Sequence, residues 1–310
     1  MPTTSAAIGR VIVTGSTGLI GRALVEHLRA AGWVVQALVR RALRPGAAEL
    51  HWEPERGVLD PAGLEGATAV VHLAGENIAA GRWTPARRER IARSRIDGTR
   101  LLCDVVAGLE RRPRVVICAS AVGIYGSRGD EVITEGSSTG AGFVPELCRA
   151  WEAATEPAQA AGIRVVHLRI GLVLSRGGGV LARMRPVFRL GLGGVLGSGR
   201  QYVSWISLHD LMRVIEFALE RDALVGPVNA VSPRPVTNRT FTKTLGRVLR
   251  RPTVLPVPAL ALRVVFGAMA GELLLSGARV LPARLQAAGF EFEHPELDNA
   301  LRCELGVAPH

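Results

Sequence analysis

The first chemistry legible in the chain is phosphate binding. Thr14-Gly15-Ser16-Thr17-Gly18-Leu19-Ile20-Gly21 follows an apolar run, Val11-Ile12-Val13, and opens a stretch of helical periodicity over residues 19–31. A glycine pattern alone is weak evidence; a strand before it and an amphipathic helix after it give it meaning. Gly15 permits the tight turn, Gly18 lets the backbone approach a pyrophosphate, and Gly21 lets helix and strand pack closely. The free amides of the helix start then face the phosphates, in the favourable field of the helix dipole.

The second strand, residues 34–39, ends at Arg40-Arg41, with Arg44 close behind. An acidic side chain about twenty positions past the glycines would bind the ribose 2′-hydroxyl of NAD. Arginines stand there instead, and a guanidinium forks onto a 2′-phosphate. The expected cofactor is therefore NADP(H).

These residues need a frame. Apolar runs at 50–52, 69–73, 114–119 and 164–168 read as further strands. Residues 85–109, 143–160 and 208–220 read as helices, and 225–231 as another strand. Strands alternating with helices imply an α/β, Rossmann-type doubly wound parallel sheet. After residue 175 the pattern changes to the glycine-rich stretches 177–179 and 191–199. Prolines from 233 onward break the chain into short helical pieces. The expected division is a Rossmann domain of residues 1–174 and 204–231. A smaller, mainly helical lobe of residues 175–203 and 232–310 completes it.

Composition narrows the function. The chain has 310 residues, is 48% hydrophobic, and carries a formal net charge of +11. Its arginines are scattered and aromatics make up 5%, so anionic small-molecule sites fit better than nucleic acid. The densest basic run, residues 87–90 with Arg93 and Arg95, is broken by apolar residues at helical spacing and reads as a solvated helix face. No apolar stretch is long enough to span a bilayer, and the N-terminus has no secretory signal pattern. Cys103, Cys118, Cys148 and Cys303 lack metal-ligand spacing and read as buried free thiols of a cytoplasmic protein. The expected partner is a small molecule, with no nucleic acid, membrane or metal; a homo-oligomer stays open.

The sequence resembles the extended short-chain dehydrogenase/reductases, and within them an atypical epimerase-like branch. Members of that branch, of nucleoside-diphosphate-sugar epimerase type, carry a C-terminal domain of unknown function. The likeness runs nearly end to end. It includes TGSTGLIG at 14–21, LAGENI at 73–78, Arg82-Trp83, Ser94-Arg95, ASAVGIYG at 119–126 and ELCRAWE at 146–152. RIGLVLSRGGG at 169–179, GSGRQYVSWI at 197–206 and Pro235-Val236-Thr237-Asn238 continue it. The resemblance implies that Thr17, Leu19 and Ile20 contact the pyrophosphate and Arg40 and Arg41 the 2′-phosphate. Leu73, Ala74 and Gly75 would line the adenosine side, Arg95 would reach the cofactor, and Ala119 would lie near the nicotinamide. Glu76, Asn77, Arg82, Gln201 and Trp205 would form the substrate cleft.

The catalytic pattern departs from that family. Active members use Ser, Tyr and Lys, the last two a helical turn apart. Here the residue four past Tyr125 is Gly129, the one four past Tyr202 is Ile206, and the sole lysine is Lys243, far along the chain. Aligned on Glu152, the Tyr and Lys positions fall on Val144 and Cys148, and the Ser position on Ser120 or Ala121, with the YG spacing favouring Ala121. Replacement acids are Tyr125, Asp130, Glu135, Glu76, Cys148 and His209, with Tyr125 the leading candidate. Two readings follow: an epimerase-like oxidoreductase with a changed proton route, or a non-catalytic NADP(H) sensor or scaffold.

Overall fold

The structure, a computed structural model, describes residues 8–308. The chain begins with strand β1 (Arg10–Thr14), helix α1 (Leu19–Ala30) and strands β2 (Val34–Val39), β3 (Glu49–Glu53), β4 (Val58–Leu59) and β5 (Ala69–His72). Helix α2 (Pro85–Ala107), β6 (Val115–Ala121), β7 (Val132–Ile133), α3 (Phe143–Ala153), α4 (Glu156–Ala160), β8 (Arg164–Ile170) and β9 (Leu172–Leu174) follow. Next come α5 (Gly179–Arg189), β10 (Tyr202–Val203), β11 (Trp205–Ser207), α6 (Leu208–Glu220) and β12 (Gly226–Ala230). The chain closes with β13 (Val236–Thr237), α7 (Asn238–Val248), α8 (Ala259–Phe266), β14 (Arg279–Val280), α9 (Ala283–Ala287) and α10 (Leu297–Leu305).

Eight strands form the central sheet in the order β4-β3-β2-β1-β5-β6-β8-β12. All neighbours are parallel except the edge pair β3–β4. The connection leaves β1 in one direction toward β2 and returns on its other side at β5, which puts the switch point where β1 and β5 meet. Ligands in such sheets lie outside the strand carboxyl ends at that crevice.

The apolar strands are buried on both faces because helices cover both. Val11 and Val13 point into one core with Leu24 and Leu28 of α1 and Val214 and Ile215 of α6. Ile12 points into the other, with Leu102, Cys103 and Val106 of α2. This is why the strands read as continuous apolar runs without alternation.

Two expectations change. The helix expected over 143–160 is two helices, because the chain turns at Ala154-Thr155. There the Thr155 hydroxyl donates to the Glu152 carbonyl at 2.7 Å, and Pro157 opens α4. The glycine-rich stretch after 175 contains α5, whose Leu181 and Phe188 are buried; Pro186 inside it hid the periodicity. The C-terminal segment is mainly helical, yet β14 ties back to β7 in parallel register.

Candidate functional site

The glycine turn after β1 has the geometry its sequence asks for. Gly15 has φ +66°, a left-handed conformation that a side chain disfavours. A Cβ on Gly21 would sit 2.2 Å from the Gly15 carbonyl oxygen, so the helix approaches the turn as only glycine allows. Helix α1 is capped by Gly18, which has no side chain to occupy the first-turn amides. Those amides have no acceptor within the helix.

A cleft of about 620 Å³ opens there. Its walls are the turn Gly15–Gly18, the end of β2 with Arg40, Trp52 of β3 and Pro54 just after it, the Leu73–Glu76 segment after β5, and Arg90, Arg93, Ser94 and Asp97-Gly98 of α2. The floor beneath it is fixed. The Thr14 hydroxyl oxygen accepts from the Leu73 and Ala74 amides, both at 3.0 Å, and lies 2.8 Å from His72 Nδ1. With its lone pairs so used, Thr14 donates to Nδ1, which places the His72 proton on Nε2. Burial pushes the His72 pKa down to about 4, so the ring is neutral.

The arginines after β2 divide. Arg41 and Arg44 both donate to the Glu49 carboxylate, at 2.5 and 2.6 Å. Hydrogen bonds from Arg41 and then Arg44 hold that carboxyl down to about 2. Arg41, expected to meet a 2′-phosphate, is therefore committed to Glu49. All three are exposed, and of them Arg40 is the one that lines the cleft and pairs with no carboxylate among the described residues. Nothing in the sequence spacing marked Glu49, which reaches the arginines only because β3 lies beside β2.

The opposite end of the crevice is apolar. Ala119 and Ala121 stand at the end of β6, with Ala119 packed against Leu73, Trp151 and Ile170. Val144 and Cys148 lie buried one turn apart on α3. Burial first, and then nearby Glu152, push the Cys148 thiol up to about 12, which leaves it uncharged. Arg95 is buried among them, its guanidinium over the Trp151 ring and against Gly75. Among the described residues its guanidinium donates only to the Ile91 carbonyl of its own helix, and burial lowers its pKa.

Tyr125 departs from its expected role. It is wholly buried; its hydroxyl donates to Asn229 Oδ1 and accepts from Arg169 Nη1, both at 2.8 Å. Arg169 in turn forks onto Glu152, which also accepts from Ser120 at 2.7 Å. The phenol is a strut in a closed polar chain across β6, β8, β12 and α3, and its hydrogen-bonding capacity is spent. The ASAVGIYG motif pointed to a phenol at the sheet's carboxyl end; it did not reveal that Arg169 and Asn229 on neighbouring strands enclose it.

The other candidates spread out. Glu76 lines the cleft and pairs with Arg87 at 3.3 Å. Asn77 is exposed and turns its own loop by accepting from the Ala79 amide. Arg82, outside the cleft lining, donates to the Val264 carbonyl. Gln201 ties the Leu196 and Leu274 carbonyls together. Trp205, expected in the substrate cleft, is wholly buried, and its Nε1 donates to the Arg234 carbonyl; it is a core residue. Asp130 is exposed in a turn, and Lys243 is exposed on α7. Glu135 is buried under the Asn229 and Arg284 amides. His209 pairs with Glu293 at the surface. Three cysteines are buried as expected, but Cys303 is exposed. Sequence reasoning missed Trp52, Arg90 and Arg93 as cleft residues. The basic run on α2 was the available signal, and part of that face turns inward.

The segment after residue 175 packs beside the glycine turn and the 79–80 loop. A Cβ on Gly178 would come within 3.2 Å of the Leu19 side chain, and Arg183 of α5 donates to the Ala79 carbonyl at 3.0 Å.

Comparison with known proteins agrees with this geometry. Residues 11–230 match the NAD dependent epimerase/dehydratase family, and residues 257–303 match a domain of unknown function, DUF1731. Epimerase family protein Mb2239 of Mycobacterium bovis is 50% identical over 291 residues, covering 94% of this chain and 96% of the relative. The crystal structure of human epimerase family protein SDR39U1 (isoform 2), solved with NADPH, superposes with a TM-score of 0.89 at 35% identity. It covers 96% of this chain and 99% of that one. A Thermus thermophilus UDP-glucose 4-epimerase complex with NAD shares the fold at 20% identity and a TM-score of 0.73, over 94% and 96% of the two chains.

Proposed function

Because the chain belongs to the NAD dependent epimerase/dehydratase family, and a member of closely similar structure was solved with NADPH, we propose that it binds NADP(H) in the cleft at the β1–β5 crevice. The first-turn amides of α1 take the pyrophosphate, and Arg40 takes the 2′-phosphate, since Arg41 and Arg44 are held by Glu49. Trp52 and Gly98, which line the cleft, would hold the adenine side, and Ala119 and Ala121 at the end of β6 the nicotinamide side. The cofactor supplies a hydride. The protein's part is to orient the ring and keep water away from it, for which the apolar walls are suited. Arg95, a buried cation without a carboxylate partner among the described residues, stands between Gly75 and the α3 face that carries Cys148. There it anchors the nicotinamide ribose in place of a lysine.

The reading that follows is an epimerase-like oxidoreductase acting on a small molecule, with a proton route that does not pass through a Tyr–Lys pair. A general acid typically contributes about 10²–10⁴ in rate, so the change lowers turnover and spares binding. The observation that carries the proposal is the built cofactor cleft. Buried Val144 and Cys148 favour the second reading, a non-catalytic NADP(H) sensor. Crystals grown with NADPH and soaked in a metabolite extract separate the two. Density beyond the nicotinamide together with NADPH oxidation supports the oxidoreductase. Bound NADPH with neither supports the sensor.

A further inference from the structure

The positive charge of this protein is not spread as its sequence suggests. No Asp or Glu occurs between Glu156 and Asp210, or between Asp222 and Glu272. The fold brings parts of these two acid-free stretches together. Arg251 Nε donates to the Arg189 carbonyl at 2.8 Å, the Gly197 amide donates to the Val257 carbonyl, and the Val257 amide donates to the Val195 carbonyl. The C-terminal end of α5, the 250–257 segment and α8 thus form one face.

That face is both basic and apolar. Arg189, Arg250, Arg251 and Arg263 are exposed on it. None of the four pairs with a carboxylate among the described residues. Between them stand Leu190, Val254 and Leu260, 75%, 78% and 72% exposed, with Val187, Leu192, Leu255, Val264 and Val265 beside them. Monomers rarely leave such a contiguous apolar patch uncovered.

We propose that this face docks on an anionic lipid bilayer surface. Unpaired arginines complement acidic headgroups, and protruding aliphatic side chains enter the headgroup–acyl boundary. Charge favours lipid over an apolar partner helix, because arginines alternate with the exposed aliphatic side chains and neither acid-free stretch supplies a carboxylate to neutralise them. No helix among the described residues is long and apolar enough to cross a membrane, so the attachment is peripheral.

The test is co-sedimentation of the full chain with phosphatidylcholine vesicles with and without phosphatidylglycerol. Binding is expected only to the anionic vesicles and declines with salt. Each arginine removed costs about five-fold in affinity. A triple variant, Arg189→Gln with Arg250→Gln and Arg263→Gln, is therefore released, as is Val254→Asp/Leu260→Asp. Both keep wild-type affinity for NADPH, which shows that they fold. No anionic-vesicle binding by the wild type overturns the proposal, as does binding that both variants retain. Self-association through this face, lost in Val254→Asp/Leu260→Asp and seen by sedimentation velocity without vesicle binding, also overturns it and assigns the face to a second copy.

Discussion

Replacing Arg40 by alanine should convert an NADPH-preferring site into an indifferent one. Among the three arginines after β2, Arg41 and Arg44 share the Glu49 carboxylate, and Arg40 lines the cleft with no such partner. A hydrogen bond to a charged group contributes about 1.5–3 kcal/mol, so Arg40→Ala should weaken NADPH binding by about ten- to hundred-fold. Affinity for NADH, which lacks the 2′-phosphate, should not change. Arg41→Ala should disturb NADPH far less, because its guanidinium is already committed. Calorimetric titration of both cofactors at one fixed ionic strength reads the difference, since salt screens an exposed contact of this kind. Equal losses for NADPH and NADH in Arg40→Ala would refute the reasoning. So would a larger NADPH loss in Arg41→Ala than in Arg40→Ala.

Tyr125→Phe should destabilise the fold by about 1–3 kcal/mol, because it strips a partner from buried Asn229 and Arg169, and should leave NADPH affinity intact; thermal melts and a titration check both, and lost binding without lost stability would return Tyr125 to the ligand site. His72 has a folded pKa of about 4 against an ordinary 6.5, so the unfolded chain binds more protons between those values. Its contribution to stability, about 3 kcal/mol, is complete above pH 6.5 and lost as pH falls toward 4. Urea melts across that range should show a shallower slope for His72→Asn, and an unchanged slope would contradict the assignment. Residues 177–199, which touch Leu19 and Ala79, should gain hydrogen-exchange protection on NADPH binding; protection confined to residues 11–100 would count against a closing segment.

The parts of this protein that depend on local sequence were readable in it. The α1 glycine turn and the strands β1, β2, β5 and β8 follow from spacing and from continuous apolar runs. Helix α6 was read at its observed limits, residues 208–220, and the Ser207 side chain caps its start. What depends on neighbours distant in sequence was not readable. Glu49 disarms Arg41 only because β3 pairs with β2. Tyr125 is enclosed only because β8 and β12 bring Arg169 and Asn229 to it. Trp205 sits in a glycine-flanked motif that suggests a loop at a ligand, yet β11 pairs with β9 and buries it. Arginines that look scattered along the chain gather on one face because α5 and the 250–257 segment pack side by side. Helix α5 was hidden because Pro186 and the glycines around it argue locally for a loop.

The most direct test of the account is a titration of the full-length chain with NADPH and with NADH, side by side in the same buffer. The predicted result is saturable one-to-one binding, with NADPH held about ten- to hundred-fold more tightly. The absence of saturable NADPH binding, or an affinity for NADH as high as that for NADPH, would contradict it.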